Sequence, residues 1–424
     1  VTDLTARVGD AVEARRDELV ELVRELVACR SENPRLLTDP EQAEAGRRAE
    51  AECQDRVEAR LTELGLAVDR FEALPGREDV VGRLAGTGGG RSLILNGHVD
   101  VVPAGEPADW PHDPWAGEIA DGLIWGRGSC DMKGGIAAGI GALWALRDAG
   151  ARLRGDVVFQ SVVDEESGGP GTLEAIARGH TADAAIVLEP TGRSIMPAEG
   201  GVEWLHVHVK GVGGHSAYRY RSVHAGGQGT AVNAIEKAVK ILVAVQELER
   251  HWGNRKVHPL LPRGITTINP GMISGGSPAL STMAEECVLG LSMKYLPGER
   301  REDVRREFEE YVAAVAATDP WLRDHPPTIE WGIAGASFQP CEIPLDHPLA
   351  QVVGDSYRAV LGEPEWRGFE AVADLAWLAE AGIPGLLYGP GDITQAHTTA
   401  EYLPIDELVA ATKVVALALA GWCG

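Results

Sequence analysis

Five short segments of the sequence carry side chains able to hold divalent cations. LILNGHVDVVP sets His98 and Asp100 two residues apart, so in extended backbone both face the same side. WGRGSCDMKGG sets Asp131 between a glycine turn and a small-residue run, and DEESGGPGT brings the adjacent Glu165 and Glu166. IVLEPTG ends an apolar run on Glu189, and QAHTTAEYLP carries His397. Histidine and carboxylate suit zinc-like ions. A two-ion site needs in addition one carboxylate that bridges and an open position for water. Each segment alone has an ordinary reading. His-x-Asp can be a buried histidine with an acidic partner, Asp131 a helix N-cap, and the glutamate pair a solvated turn. The placement of all five argues for metal. Each lies near the carboxyl end of a strand-like run or in the turn beyond it, where ligands collect in open α/β sheets. Adjacent carboxylates also repel, which a dication relieves. The residues alone leave open which of Glu165 and Glu166 is a ligand and which a general base.

The elements that must position these side chains show as hydrophobic patterns. Residues 10–30 and 41–66 repeat apolar positions at helical spacing, the second run ending at Gly65. LAVDRFEAL reads as a strand. RSLILNGHVDVVP, DVVFQSVVDEESGG and AAIVLEPTG read as buried strands, and 134–149 as a small-residue helix packed closely on a sheet. Strands alternating with helices predict an α/β fold with a mainly parallel, doubly wound sheet. Near residue 200 the character changes, and VEWLHVHVKG alternates with period two. A helix from about Thr230 to Leu248 follows. Next come strand candidates in ITTINPGMISGG and AEECVLGLSMKYLP, a helix in REDVRREFEEYVAAVAAT and a strand in PTIEWG. That order predicts an inserted α+β sandwich. The first pattern resumes with a helix at 349–361, a strand in GIPGLLYGPG and a helix at 405–422. The expected division is 1–197 and 334–424 for a catalytic domain, and 198–333 for the insert.

The 424 residues exceed one ordinary core and favour two domains. A net charge of −24 disfavours nucleic acid and anionic membrane as partners, although a halophilic or high-GC origin gives the same balance. The six cysteines form no CxxC pair and fit a reduced, cytoplasmic protein. The charged first residues contain no apolar core of a secretion signal. No apolar stretch reaches the ~18 residues of a membrane span.

NGHVDVVP, GRGSCDMKGG, DEESGG, EPT and AHTTAEYLP together resemble the family of metallopeptidases and deacylases that includes acetylornithine deacetylase, succinyl-diaminopimelate desuccinylase and glutamate carboxypeptidase. The resemblance runs from about residue 15 to the C-terminus. It implies two Zn²⁺ per subunit, with Co²⁺ or Mn²⁺ as possible substitutes. His98 and Glu189 would bind one ion, Glu166 and His397 the other, and Asp131 would bridge them. Asp100 would orient His98, and Glu165 would be the general base for a water held between the ions. The insert would be a lid and dimerisation domain. GVGGHSAY resembles the segment whose histidine reaches the partner's site, so His215 would act in trans in a homodimer. Asn233 fits the same segment but reads first as a helix position. The implied reaction is hydrolysis of the amide bond of a small N-acyl amino acid.

The departures fall on substrate positions. The strand that often carries Asp-x-Arg has Ser292 and Lys294, which keeps the charge but loses the bidentate fork that suits a carboxylate. SPALSTMAEEC replaces an Asn-Val-Val-Pro-like stretch, and FEAVADLAWL keeps Asp374 among different neighbours. The run from His215 to Asn233 is long for the family. Deformylation of a small heteroaromatic amide, or dipeptide cleavage, is the competing reading. A non-catalytic metal-binding protein is another, against which the retained Glu165 argues. His206 and His208 share one face of a strand, and His112 lies in a Trp- and Pro-rich loop. For these three, ordinary packing is the first expectation.

Overall fold

The computed structural model describes residues 2–220, 231–277 and 279–424. It divides into two compact units, Val1–Ala198 with Glu342–Gly424, and Glu199–Cys341.

The first unit is built on a nine-stranded sheet. Its order is Ala67–Leu74, Arg77–Leu84, Val157–Val162, Leu93–His98, Ala185–Val187, Gly385–Leu387, Ser194–Glu199 and Cys341–Glu342, with Glu365–Phe369 paired to Ser194–Glu199. The four central strands are parallel. The Ala67–Leu84 hairpin joins one side antiparallel, and Ser194–Glu199 pairs antiparallel on the other. Leu93–His98 and Val157–Val162 are buried at every position, which explains their lack of period-two alternation. The helices Thr2–Ala14, Arg16–Val27, Gly134–Asp148, Pro348–Leu361 and Ile405–Cys423 contribute to one apolar core with these strands.

Local chemistry sets the helix limits. Asp39 caps Pro40–Glu63 by accepting from Glu41 N, with Pro40 in the first turn, and Gly65 at φ +83° follows its end. The single helix expected over 10–30 is two, interrupted at Arg15. The Gly134–Asp148 helix is buried from Gly134 to Leu146. A Cβ on Gly135 would stand 2.0 Å from the Leu188 carbonyl oxygen, so only glycine permits this approach of helix to strand.

In the second unit, antiparallel strands run in the order Ile268–Gly275, Glu286–Tyr295, Gly201–Lys210, Thr328–Trp331. Leu205, Val207 and Val209 point to the face covered by the helices Ala234–Arg255 and Arg301–Ala317. Trp204, His206 and His208 point the other way. Asn233 is the N-cap of the first helix, accepting from Ile235 N at 3.0 Å. The helix expected from Thr230 therefore begins at Ala234, and Thr230 lies outside the described residues. Among the described residues no helix is long and apolar enough to cross a membrane.

Candidate metal centre

All five chemical segments of the first unit converge. His98 ends its strand, and Glu189 lies two residues beyond Ala185–Val187. Glu165 and Glu166 open a short turn after Val157–Val162, Asp131 precedes the Gly134–Asp148 helix, and His397 lies in the turn after Ile393–Gln395. Asp131 sits at the centre. Its Oδ1 is 3.2 Å from His98 Nε2, and its Oδ2 is 3.5 Å from His397 Nε2. Around His98 Nε2 stand Glu189 Oε1 at 3.8 Å and Glu165 Oε2 at 3.9 Å. Around His397 Nε2 stands Glu166 Oε2 at 3.0 Å. The two oxygens of one carboxylate thus face two different imidazoles, His98 beside Glu189 and Glu165, and His397 beside Glu166. Ligand atoms of His98, Asp131 and Glu166 all lie within 4.8 Å of one another.

The N-cap reading of Asp131 does not hold. Lys133 occupies that position, and Asp131 has non-helical angles (φ −114°, ψ 96°). Its backbone is held instead by Glu401. That buried carboxylate accepts from Cys130 N and Asp131 N, both at 3.1 Å, and pairs with Arg127. The Arg127 guanidinium lies 4.9 Å over the Trp110 ring.

Asp100 has a different contact from the expected one. His98 Nδ1 meets the main-chain carbonyl of Asp100 at 2.8 Å, while the nearest carboxylate oxygen is 3.7 Å away. The carboxylate accepts instead from Glu165 N and Glu166 N, both at 3.2 Å, and from Asn33 Nδ2 at 2.7 Å. Residue 100 therefore fixes the imidazole through its backbone and the acidic turn through its side chain. Asp164, at φ +68°, begins that turn in the left-handed region. Asn33, Arg35 and Arg77 all donate to its buried carboxylate, and Arg77 is held in turn by Glu50.

Burial pushes Glu165 and Glu189 well above the usual carboxylate range, and Glu166 in the same direction. Burial opposes ionisation of Asp131 too, but hydrogen bonds from His397 and His98 prevail and hold it low. The bond to Asp131, followed by that to Glu166, raises His397 to about 10. So many acidic groups in one largely buried site call for positive charge, which divalent ions would supply. The set of two imidazoles and clustered carboxylates fits hard or borderline divalent ions. Asp374 lies behind the site, its Oδ2 accepting from Thr172 Oγ1 at 2.6 Å and its buried Oδ1 without a hydrogen-bond partner among the described residues. Burial pushes this carboxyl up to about 7.

Sequence reading missed Asn33, Glu50, Arg77, Arg127, Asp164 and Glu401 as parts of the site. Arg127, Asp164 and Glu401 had a local signal, standing within WGRGSCDMKGG, DEESGGPGT and QAHTTAEYLP. His215 belongs to the second unit, on a two-residue strand paired with Thr282–Met283. There its Nδ1 accepts from Ala217 N at 3.1 Å. Most of the long run from His215 to Asn233 lies outside the described residues.

Comparison with known proteins agrees with this architecture. The family model described as "Peptidase family M20/M25/M40" matches residues 94–421. An N-formyl-4-amino-5-aminomethyl-2-methylpyrimidine deformylase of Halalkalibacterium halodurans is 39% identical, and one of Bacillus subtilis 37%. Each alignment covers 97% of this chain and 96% of the relative. An acetylornithine deacetylase of Myxococcus xanthus is 29% identical over 87% of this chain and 92% of its own. Among solved structures, aminopeptidase PepT of Bacillus cereus shares the fold with a TM-score of 0.74 at 20% identity. That superposition covers 96% of this chain and 99% of the other. A match over most of the length, on a fold whose sheet gathers these histidines and carboxylates, places the chain in the peptidase family M20/M25/M40, as a metal-dependent hydrolase of amide bonds.

Proposed function

We propose that the chain removes the formyl group from a small N-formyl aminopyrimidine, using two divalent ions, zinc in the first instance. The observation that carries the two-ion reading is Asp131, with one oxygen towards each imidazole. His98 and Glu189 would hold one ion, Glu166 and His397 the other, with Asp131 between them. When bound, the ions supply an acidified water and polarise the amide carbonyl. Glu165, ligand to neither, takes the proton of that water and delivers it to the departing amine nitrogen. Asp100 and Asp164 hold the turn that presents Glu165. The products are formate and the free amine.

Two features favour a formyl pyrimidine over an N-acyl amino acid. The deformylase relatives align over nearly the whole chain at higher identity than the deacetylase. Lys294 also stands where a carboxylate-binding arginine is expected. Purified enzyme with added Zn²⁺ or Co²⁺ should release formate from N-formyl-4-amino-5-aminomethyl-2-methylpyrimidine faster than it deacylates N-acetylornithine or N-succinyl-diaminopimelate. The reverse ranking would replace this substrate with the amino-acid one.

The cysteines form no disulfide among the described residues, which suits a reducing cytoplasm. A homodimer through the second unit fits two features of that unit. Ile268–Gly275 lies at the end of its sheet with Met272 and Ile273 exposed, and Ile235, Val239 and Val243 form an exposed apolar stripe on one helix. In that assembly His215 would serve the partner's site. A monomer by analytical ultracentrifugation at working concentration would remove the assembly and the trans role with it.

A further inference from the structure

The outer face of the second unit's sheet carries a second set of metal-ligating side chains. His206 and His208 are two apart on Gly201–Lys210, so both rings project from the face opposite the helices. Glu330, on the neighbouring strand, is directly opposite His206 in register. Its Oε2 is 3.3 Å from His208 Nε2 and 4.0 Å from His206 Nδ1. One ligand atom from each of the three residues falls within 4.8 Å of the others. Ligands on a tetrahedral zinc with bonds of ~2.05 Å stand about 3.3 Å apart, so closure asks only for small rotations of side chains in contact with solvent. Glu286, on the strand at the other side, has its Oε1 3.8 Å from His208 Nδ1. It stands where a carboxylate supports a ligating histidine from behind.

We propose that His206, His208 and Glu330 bind one divalent transition-metal ion, with Glu286 orienting His208 and water filling the remaining position. The ion ties Thr328–Trp331 to Gly201–Lys210 on the uncovered side of the sheet. It is separate from the ions of the hydrolytic centre, and its binding does not depend on the reaction assigned to that centre. Imidazole ligation predicts Cu²⁺ bound more tightly than Ni²⁺ or Zn²⁺, and no measurable affinity for Mg²⁺.

Equilibrium dialysis of the full chain against Zn²⁺, with elemental analysis, should find one more ion per chain in the wild type than in H206Q/H208Q. Amide hydrolysis should be equal in the two. Glu330→Gln, which keeps both histidines, should weaken this extra ion by about tenfold or more. Equal zinc content in wild type and double variant would overturn the proposal, and so would Mg²⁺ occupying the site as well as Zn²⁺. Since the comparison is a difference between two proteins, it reads the same whatever number of ions the first unit holds.

Discussion

Two groupings of histidine and carboxylate lie in the two units, and they are built in opposite ways. In the first unit His98, Asp131 and Glu189 are almost wholly buried although His397 is exposed, and a further layer of side chains holds the segments that carry the candidate ligands. Glu401 grips the backbone at Asp131, Asp100 grips the backbone of both glutamates, and Arg77 and Asn33 grip Asp164. In the second unit His206 and His208 are partly exposed, Glu330 is exposed, and Glu286 stands behind. Residue type alone therefore does not separate a hydrolytic centre from a binding site. A centre that does chemistry must hold its ligands against rotation, whereas a site that only binds can let flexible side chains close on the ion.

The sharpest way to break this contrast is at the middle of the buried centre. Asp131→Ala would remove the proposed bridge between the two ions, and turnover at limiting metal should fall by about 100-fold or more. Elemental analysis should show both positions depleted; a variant that still holds two ions would deny Asp131 its bridging role. Glu165→Gln should lower kcat by about 100- to 10,000-fold while both ions remain. Metal loss in this variant would exchange the roles of Glu165 and Glu166. Glu401→Gln tests the supporting layer, where a loss of about 10- to 100-fold in metal affinity is expected. An unaltered affinity would show that the ligands do not need their buried support.

The smallest effect concerns charge. The Asp374 carboxyl is raised from 3.8 to about 7 by burial. Folded protein therefore binds an extra proton between these values. The contribution of this group to stability is fully present below about pH 4 and is lost as pH rises through 7, at ~1.4 kcal/mol per unit. In metal-free protein, stability should fall more steeply across this range in the wild type than in Asp374→Asn, by about that amount per unit. Parallel slopes for the two proteins would mean that Asp374 is ionised throughout.

The grouping of the candidate ligands was legible because their chemistry is in their residue type, and because His98, Glu165, Glu166 and Glu189 end or closely follow recognisable strands. The parallel centre of the sheet was legible for the same reason, as unbroken apolar runs. The supporting layer was not. Asn33 reaches Asp164 across 131 positions and Glu401 reaches Asp131 across 270, and nothing local marks either pairing. Glu118–Ala120 and Leu123–Trp125 have three residues each, too few to show a period. Arg77–Leu84 begins on three charged residues that hide a strand whose centre is buried. Arg15–Arg16 continues an amphipathic pattern across a real break between two helices.

Gly135 has a consequence for how the hydrolytic centre can change. The helix that follows Asp131 rests against the peptide carbonyl just before Glu189, with no methyl group between them. The gap between these two acids is therefore gauged by an atom the chain lacks. Alanine at 135 would act as a wedge, spreading the acids apart without touching either. The ion between His98 and Glu189 would register that displacement first.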